Sequence, residues 1–524
     1  MLTGGTLRSL AAAAGMMTVL GVSPAMAQCF SGTGSPIAGA ACDINAATGV
    51  NSTAVGSSTD ATGFAATALG NNATAVGEFA TATGASSFAN GFNATATGVG
   101  SAANGEFATA TGQASSANGA SATATGDGSR ANGTQATATG QGSLANGFTA
   151  TATGQGSVAN GISATATGHF SIANGLFATA TGEFSHAVGG AATATGHGSN
   201  ANGGNATATG KSSFANGAIA TATGAFSTAD GFAATAMGQQ SNANGATATA
   251  VGQGSIANGE TASAFGQGAN ATGISTTAIG QASIANATGA TAVGADAQAT
   301  ALGATAVGAG ASATGANAIA IGRGATATGS IAVGAGASAA NGGAAFGDGA
   351  VATGPNSTAV GPNTSATFAN SAAIGNGAST SAANQVSIGT ASNTYRMPGI
   401  ASAASLSAQS GPTRVVTSDA AGNLATANFS PQDITGLQAN VTTLQSQMRQ
   451  AFEGTAIAIA MGGSSLPADK KFAVSTNWGT FRGENAASFL AQARISDNIV
   501  INGGVAMGFA QGGVGGRAGV TFAW

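Results

Sequence analysis

The sequence predicts an all-β-dominated chain: a head built as a parallel β-roll of fourteen-residue coils, a short coiled coil, and four C-terminal strands contributed to a membrane barrel. Three observations predict it. A four-residue unit, Thr/Ser-Ala-x-Gly, returns every fourteen residues from Thr53 to Gly322. Apolar residues alternate three and four apart between Ile434 and Ala451. The chain then closes on four strand-like segments, each near the ten or so residues that a tilted membrane strand needs.

In chain order, residues 1–27 read as a signal peptide. They hold Arg8, an apolar run from Leu10 to Val22, and Ala25-Met26-Ala27, the small-x-small pattern of a cleavage site. Cleavage between Ala27 and Gln28 is expected. Residues 28–52 form an N-terminal cap carrying the only two cysteines, Cys29 and Cys42. In an exported chain these can form one disulfide; two thiols with no His near them do not read as a metal shell.

The roll is expected over residues 53–390. Its unit occurs twenty times without insertion or deletion up to Ile319-Ala-Ile-Gly322. Middle copies read Thr-Ala-Thr-Gly, as at Thr81 to Gly84, and outer copies are more apolar, as at Thr277-Ala-Ile-Gly280. Each is followed by a second unit, commonly Ser-x-Ala-Asn-Gly, as in Ser87 to Gly91 and Ser143 to Gly147. Fixed register over so many residues argues against a disordered linker, because only a solenoid is broken by an insertion. Two Gly-ended units per period predict two strands of four or five residues and two turns. The alternation Ala80-Thr81-Ala82-Thr83 places Ala on one face and Thr on the other. A thin coil interior admits only small side chains, so Ala is expected inside. Asn-Gly pairs such as Asn90-Gly91 are expected to supply the positive φ of tight turns. Twenty coils at about 4.8 Å each make a rod on the order of 95 Å. Its Val, Leu and Ile face would be wet in a lone chain, so lateral association is expected. Spacing loosens after Gly322 through Ile331, Thr358, Ala372 and Val386.

Residues 391–433 form a connector in which Pro398, Pro412 and Pro431 are expected to interrupt any regular element. Residues 434–463 are read as coiled coil and pore helix, with Ile434, Leu437, Val441, Leu444, Met448 and Ala451 as core positions. The anchor, residues 464–524, offers strands at about 470–481, 486–496, 498–510 and 514–524. Val520, Phe522 and Trp524 alternate toward the terminus on one face and read as an outer-membrane insertion signal. Four strands cannot close in lipid, where open edges are forbidden. Two chains would give eight strands and a filled interior; three give twelve, with room for three helices. Ile and Val at the first core position favour a dimer in a free coiled coil, but unsatisfied strand edges cost more, so a trimer is expected.

Composition limits function. Charged residues make up 5%, against roughly 25% in an average soluble domain, and the net charge is −4. This gives no cationic field for nucleic acid. No catalytic constellation, metal site or cofactor motif is found. His169 and His197 occupy equivalent positions two coils apart, at about 10 Å, and read as surface groups. The scattered acids Glu78, Glu106, Glu183 and Glu260 read as solvated. An enzyme is not expected.

The order of parts resembles the trimeric autotransporter adhesins, the YadA-like family of type V secretion. The resemblance rests on Ala318-Ile-Ala-Ile-Gly322, Ser357-Thr-Ala-Val-Gly361 and Ser87-Phe-Ala-Asn-Gly91 in the repeats, and on a short helix, four strands and a final aromatic at the C-terminus. It implies a left-handed roll, a homotrimer with a twelve-stranded outer-membrane barrel, an extracellular head, and attachment to host cells, matrix or surfaces. Implied partners are the chain itself, the outer membrane with its barrel-assembly machinery, and an unidentified ligand of the head repeats. The departure is Thr in place of Val and Ile through the central coils. An alternative reading uses that departure: a Thr-Ala-Thr ladder facing solvent would suit ice or another crystal surface.

Overall fold

The computed structural model describes residues 47–463 and 465–524, and the backbone of residues 30–31. The expected signal peptide, the Ala27/Gln28 cleavage site and the Cys29–Cys42 pair lie outside the described residues. The described chain divides at Ser392/Asn393 into two compact units.

The first unit is a parallel β-solenoid of about 24 turns. Each coil has one three-residue strand, such as Thr81–Thr83, and one two-residue strand, such as Phe88–Ala89. These are shorter than the four or five residues expected from the sequence, because turns take the rest of every coil. Three-residue strands stack in register one coil apart, Thr81 on Thr95 and Ala82 on Ala96. The two-residue strands form a second parallel sheet, Phe88 on Ala102. Residues 30–31 pair antiparallel with the first of the three-residue strands.

Ala lines the interior, as the alternation predicts: Ala80, Ala82 and Ala89 are wholly buried, as are their equivalents up the roll. Ser87 and its equivalents also point inward. Each buried hydroxyl donates to the glycine carbonyl three residues back, at 2.9 Å for Ser87 on Gly84, so this polar column carries no unmet hydrogen bond. Ala and Ser fill most of the narrow lumen, and Thr276 and Thr364 are the largest side chains buried in it.

The glycines have two causes, and one differs from the expectation. Gly84 has a φ of +126°, and a Cβ there would also meet the next coil's Gly98 carbonyl at 2.5 Å. Gly91 does not have a positive φ; a Cβ on it would lie 1.9 Å from the Gly105 carbonyl oxygen. The Asn-Gly pairs therefore do not supply the left-handed turn residue. Close coil-to-coil approach requires the Gly, and the positive φ falls two positions later, on Asn93 at 54°. Asn at the preceding position builds a side-chain ladder instead. Asn104, Asn118, Asn132, Asn146 and Asn160 each donate an amide N–H to the Asn one coil on, at 2.7–2.8 Å.

The loosened spacing after Gly322 is absorbed in the same turn of two successive coils, of 12 and 13 residues. Ile319 pairs with Ile331 and Ile331 with Ala344, so the sheet continues while the loop after the two-residue strand shortens. The last strand of the roll is Val386–Ile388.

The second unit is more regular at its start than expected. A helix spans Ala403–Ala408, and Val416–Ser418 pairs with Leu424–Thr426. Asp419 closes that hairpin: hydrogen bonds from the Asn423 side chain, then from its backbone, hold the carboxyl below its usual range. Pro431 does not interrupt structure. It opens a 30-residue helix, Pro431–Ala460, behind a capping box of Ser430 and Asp433, since proline at the first helical position gives up an N–H that has no partner there. The helix is followed by four antiparallel strands, Phe472–Phe481, Glu484–Ser496, Ile499–Gly508 and Val514–Phe522.

Candidate adhesive surface and membrane anchor

The head presents its outward residues in columns with one residue per coil. On the three-residue strands, two columns flank the buried Ala. One of them is Thr without interruption from Thr83 to Thr223. It then becomes apolar: Met237, Val251, Phe265, Ile279, Val293, Val307, Ile321, Val333, Phe346, Val360, Ile374 and Ile388 stack in register. Most of these side chains are half-exposed in the single chain.

The turns carry a second kind of apolar surface. Phe64, Phe79, Phe92 and Phe107, from four successive coils, project from adjacent turn positions and touch edge to face, with ring centres 5.5, 5.8 and 5.4 Å apart. Their exposures run from 39% to 51%. Aromatic rings favour this geometry, and the ridge forms because each coil places its turn directly above the one before.

Column alignment also changes the reading of Glu183. It lies on the coil between His169 and His197, with its carboxylate 3.3 Å from His169 Nδ1 and 3.9 Å from His197 Nε2. Both His remain at the surface, as expected, but this acid is paired. Counting residues modulo fourteen would have found it.

In the second unit, the expected core positions Ile434, Leu437, Val441, Leu444 and Met448 form an exposed stripe on the long helix, together with Ala451. Beyond Ala451 the helix is docked on the four strands, where Ala456, Ile457 and Ala460 are buried. Small residues permit the docking: a Cβ on Gly479 would lie 2.1 Å from the Ala456 carbonyl oxygen. Polar contacts fix the register. Ser488 Oγ donates to the Ala460 carbonyl at 2.6 Å, Arg517 donates to the Met461 carbonyl at 2.7 Å, and Arg449 pairs with the buried Glu484 at 3.2 Å. Sequence reasoning missed these groups, since each acts across many residues of chain.

The strands alternate. Ala486, Leu490 and Ala506 are buried toward the helix, while Phe472, Val474, Trp478, Phe489, Val505 and Val514 are exposed on the other side. Val520 and Phe522 belong to the exposed set; Trp524 is exposed and lies past the end of the last strand. An apolar outer face, a helix on the inner face and two unpaired edge strands describe a segment of a barrel.

Comparison with known families agrees with both units. A model of the YadA head domain repeat matches residues 47–63, 61–87, 89–115, 117–143, 138–164, 152–178, 166–192, 229–255, 257–283, 271–297, 299–325, 340–364 and 352–378, more than half of the chain. The YadA-like membrane anchor domain matches residues 464–524. The chain belongs to the YadA-like family. It is a trimeric autotransporter adhesin, anchored in the outer membrane with its head extracellular. No match was found among curated proteins. In a YadA-like trimer the two open edges of each four-stranded sheet meet neighbouring copies, and three helices occupy the lumen.

Proposed function

We propose that this adhesin attaches cells to host cells, extracellular matrix or abiotic surfaces, and to one another, through apolar groups on the turns of its head. The observation that carries this reading is the Phe64–Phe79–Phe92–Phe107 ridge: four exposed rings in the first coils of a rod that has almost no charge. Contiguous exposed apolar surface of this kind marks an interaction site. Ion pairing contributes little to such contact, so adhesion should persist at high salt.

The crystal-surface reading needs the Thr columns to face solvent in the assembled trimer. Their continuation into the Met237–Ile388 ladder favours the opposite, a single face turned toward other protomers along the head. The same reading gives Ile434, Leu437, Val441, Leu444, Met448 and Ala451 the core of a three-helix coil. Val520, Phe522 and Trp524 then act as the signal read during barrel assembly.

The test is adhesion of cells displaying the full chain, with Phe64, Phe79, Phe92 and Phe107 all changed to Ser. Binding to polystyrene and to matrix-coated wells should fall several-fold at equal surface display. Unchanged binding would refute the ridge as the adhesive element. Ice recrystallisation measured on the same displayed head should show no inhibition.

A further inference from the structure

Glu453 is 1% exposed and has no cationic partner among the described residues, unlike Glu484, whose carboxylate meets Arg449. A buried carboxylate without compensation is costly. Here the compensation is backbone. The turn between the third and fourth anchor strands wraps the side chain: the Ala510 and Gln511 N–H groups donate to Oε1 at 2.8 and 2.9 Å, and the Gly513 N–H donates to Oε2 at 3.3 Å. Converging backbone N–H groups make an anion-binding concavity, and hydrogen bonds to an ionised acceptor are among the strong ones. The neighbouring backbone is cleared to fit. A Cβ on Gly508 would lie 2.1 Å from the Glu453 carboxyl carbon.

The location of this contact gives it a role. Followed from its N-terminus, the long helix brings Arg449, Phe452 and Glu453 to the sheet before Ala456 and Ala460. Both hairpins at that end touch them. Phe452 packs edge to face on Phe481, Arg449 binds Glu484 across the first hairpin, and Glu453 binds the second. These contacts form a collar at the extracellular mouth. Sliding the helix by one turn, about 5.4 Å, would strand the Glu453 charge away from its donors and leave those N–H groups unpaired.

We propose that Glu453 is a latch that seals the barrel mouth: its carboxylate locks the 509–513 turn onto the pore helix and so fixes the helix as a plug once the head is outside. The test uses full-length trimers carrying Glu453→Ala, Glu453→Gln or Gly508→Ala, the last displacing the latch from the strand side with the carboxylate intact. Three properties are read: surface display, dissociation temperature of the trimer in detergent, and ion conductance in planar bilayers. Display should match the parent. Glu453→Ala and Gly508→Ala should raise the frequency of open events at least tenfold and lower the dissociation temperature, with Glu453→Gln between them and the parent because it keeps one acceptor oxygen. Parent-like conductance in both Glu453→Ala and Gly508→Ala overturns the latch. Failure of both to form trimers also overturns it, since the residue would then serve assembly and not sealing.

Discussion

The coils from Thr83 to Thr223 and those from Met237 to Ile388 share backbone, register and Ala interior, yet one outward column is Thr in the first stretch and apolar in the second. The roll itself therefore does not depend on that column. What the column sets is the energy of meeting another chain. Covering the remaining half of a Val, Ile or Phe side chain contributes about 1 kcal/mol, repeated along the ladder, whereas an exposed Thr gives up hydration and regains it only if paired. If this column faces the other protomers, the apolar stretch holds them together and the Thr stretch follows through its connection to it.

The largest effect should come from the feature that both stretches share. Changing Ala82, Ala96 and Ala110 together to Leu, or Ala278, Ala292 and Ala306 together to Leu, should destabilise either stretch by at least about 3 kcal/mol through overpacking. Circular dichroism melts would register it as a lost or shifted transition in both variants. A parent-like melt in one alone would mean that the two interiors differ.

A change of Ile279, Val293 and Val307 to Thr should sharpen the comparison. Heat dissociation of the trimer should occur at lower temperature, at a cost of about 1 kcal/mol per substitution and protomer. The reciprocal change of Thr153, Thr167 and Thr181 to Val should raise it. If neither moves the dissociation temperature, this column is not the face between protomers.

The smallest effect is expected at the amide ladder. Asn132→Ala removes one acceptor and one donor from an exposed row, worth about 0.5–1 kcal/mol. Hydrogen exchange should report faster opening confined to the coils near Asn132, with no change in the apolar stretch.

Much of this was legible in the sequence because a solenoid converts period into contact. Once the fourteen-residue register is known, Ala82 must lie on Ala96 and Thr83 on Thr97. The same logic made the Ala interior and the four closing strands readable. The Asn ladder and the place of Glu183 between two His follow from the same register, but only when side chains one coil apart are compared. The role of Gly91 is hidden for a different reason: local turn propensity suggests a positive φ, but the requirement comes from the carbonyl of Gly105, a neighbour in space. Pro431 reads as a breaker by itself and as a helix start only together with the Ser430 and Asp433 cap. Glu453 had no local signal, since its donors lie 57 to 60 residues downstream.

The paired registers at Ile319–Ile331 and Ile331–Ala344 show that the roll tolerates a coil shortened in one loop while the strands above and below stay aligned. Each coil touches only its two neighbours. Whole coils can thus be duplicated or deleted by in-frame recombination without new packing having to be invented, and reach beyond the cell becomes a quantity that inheritance can tune in steps of one repeat.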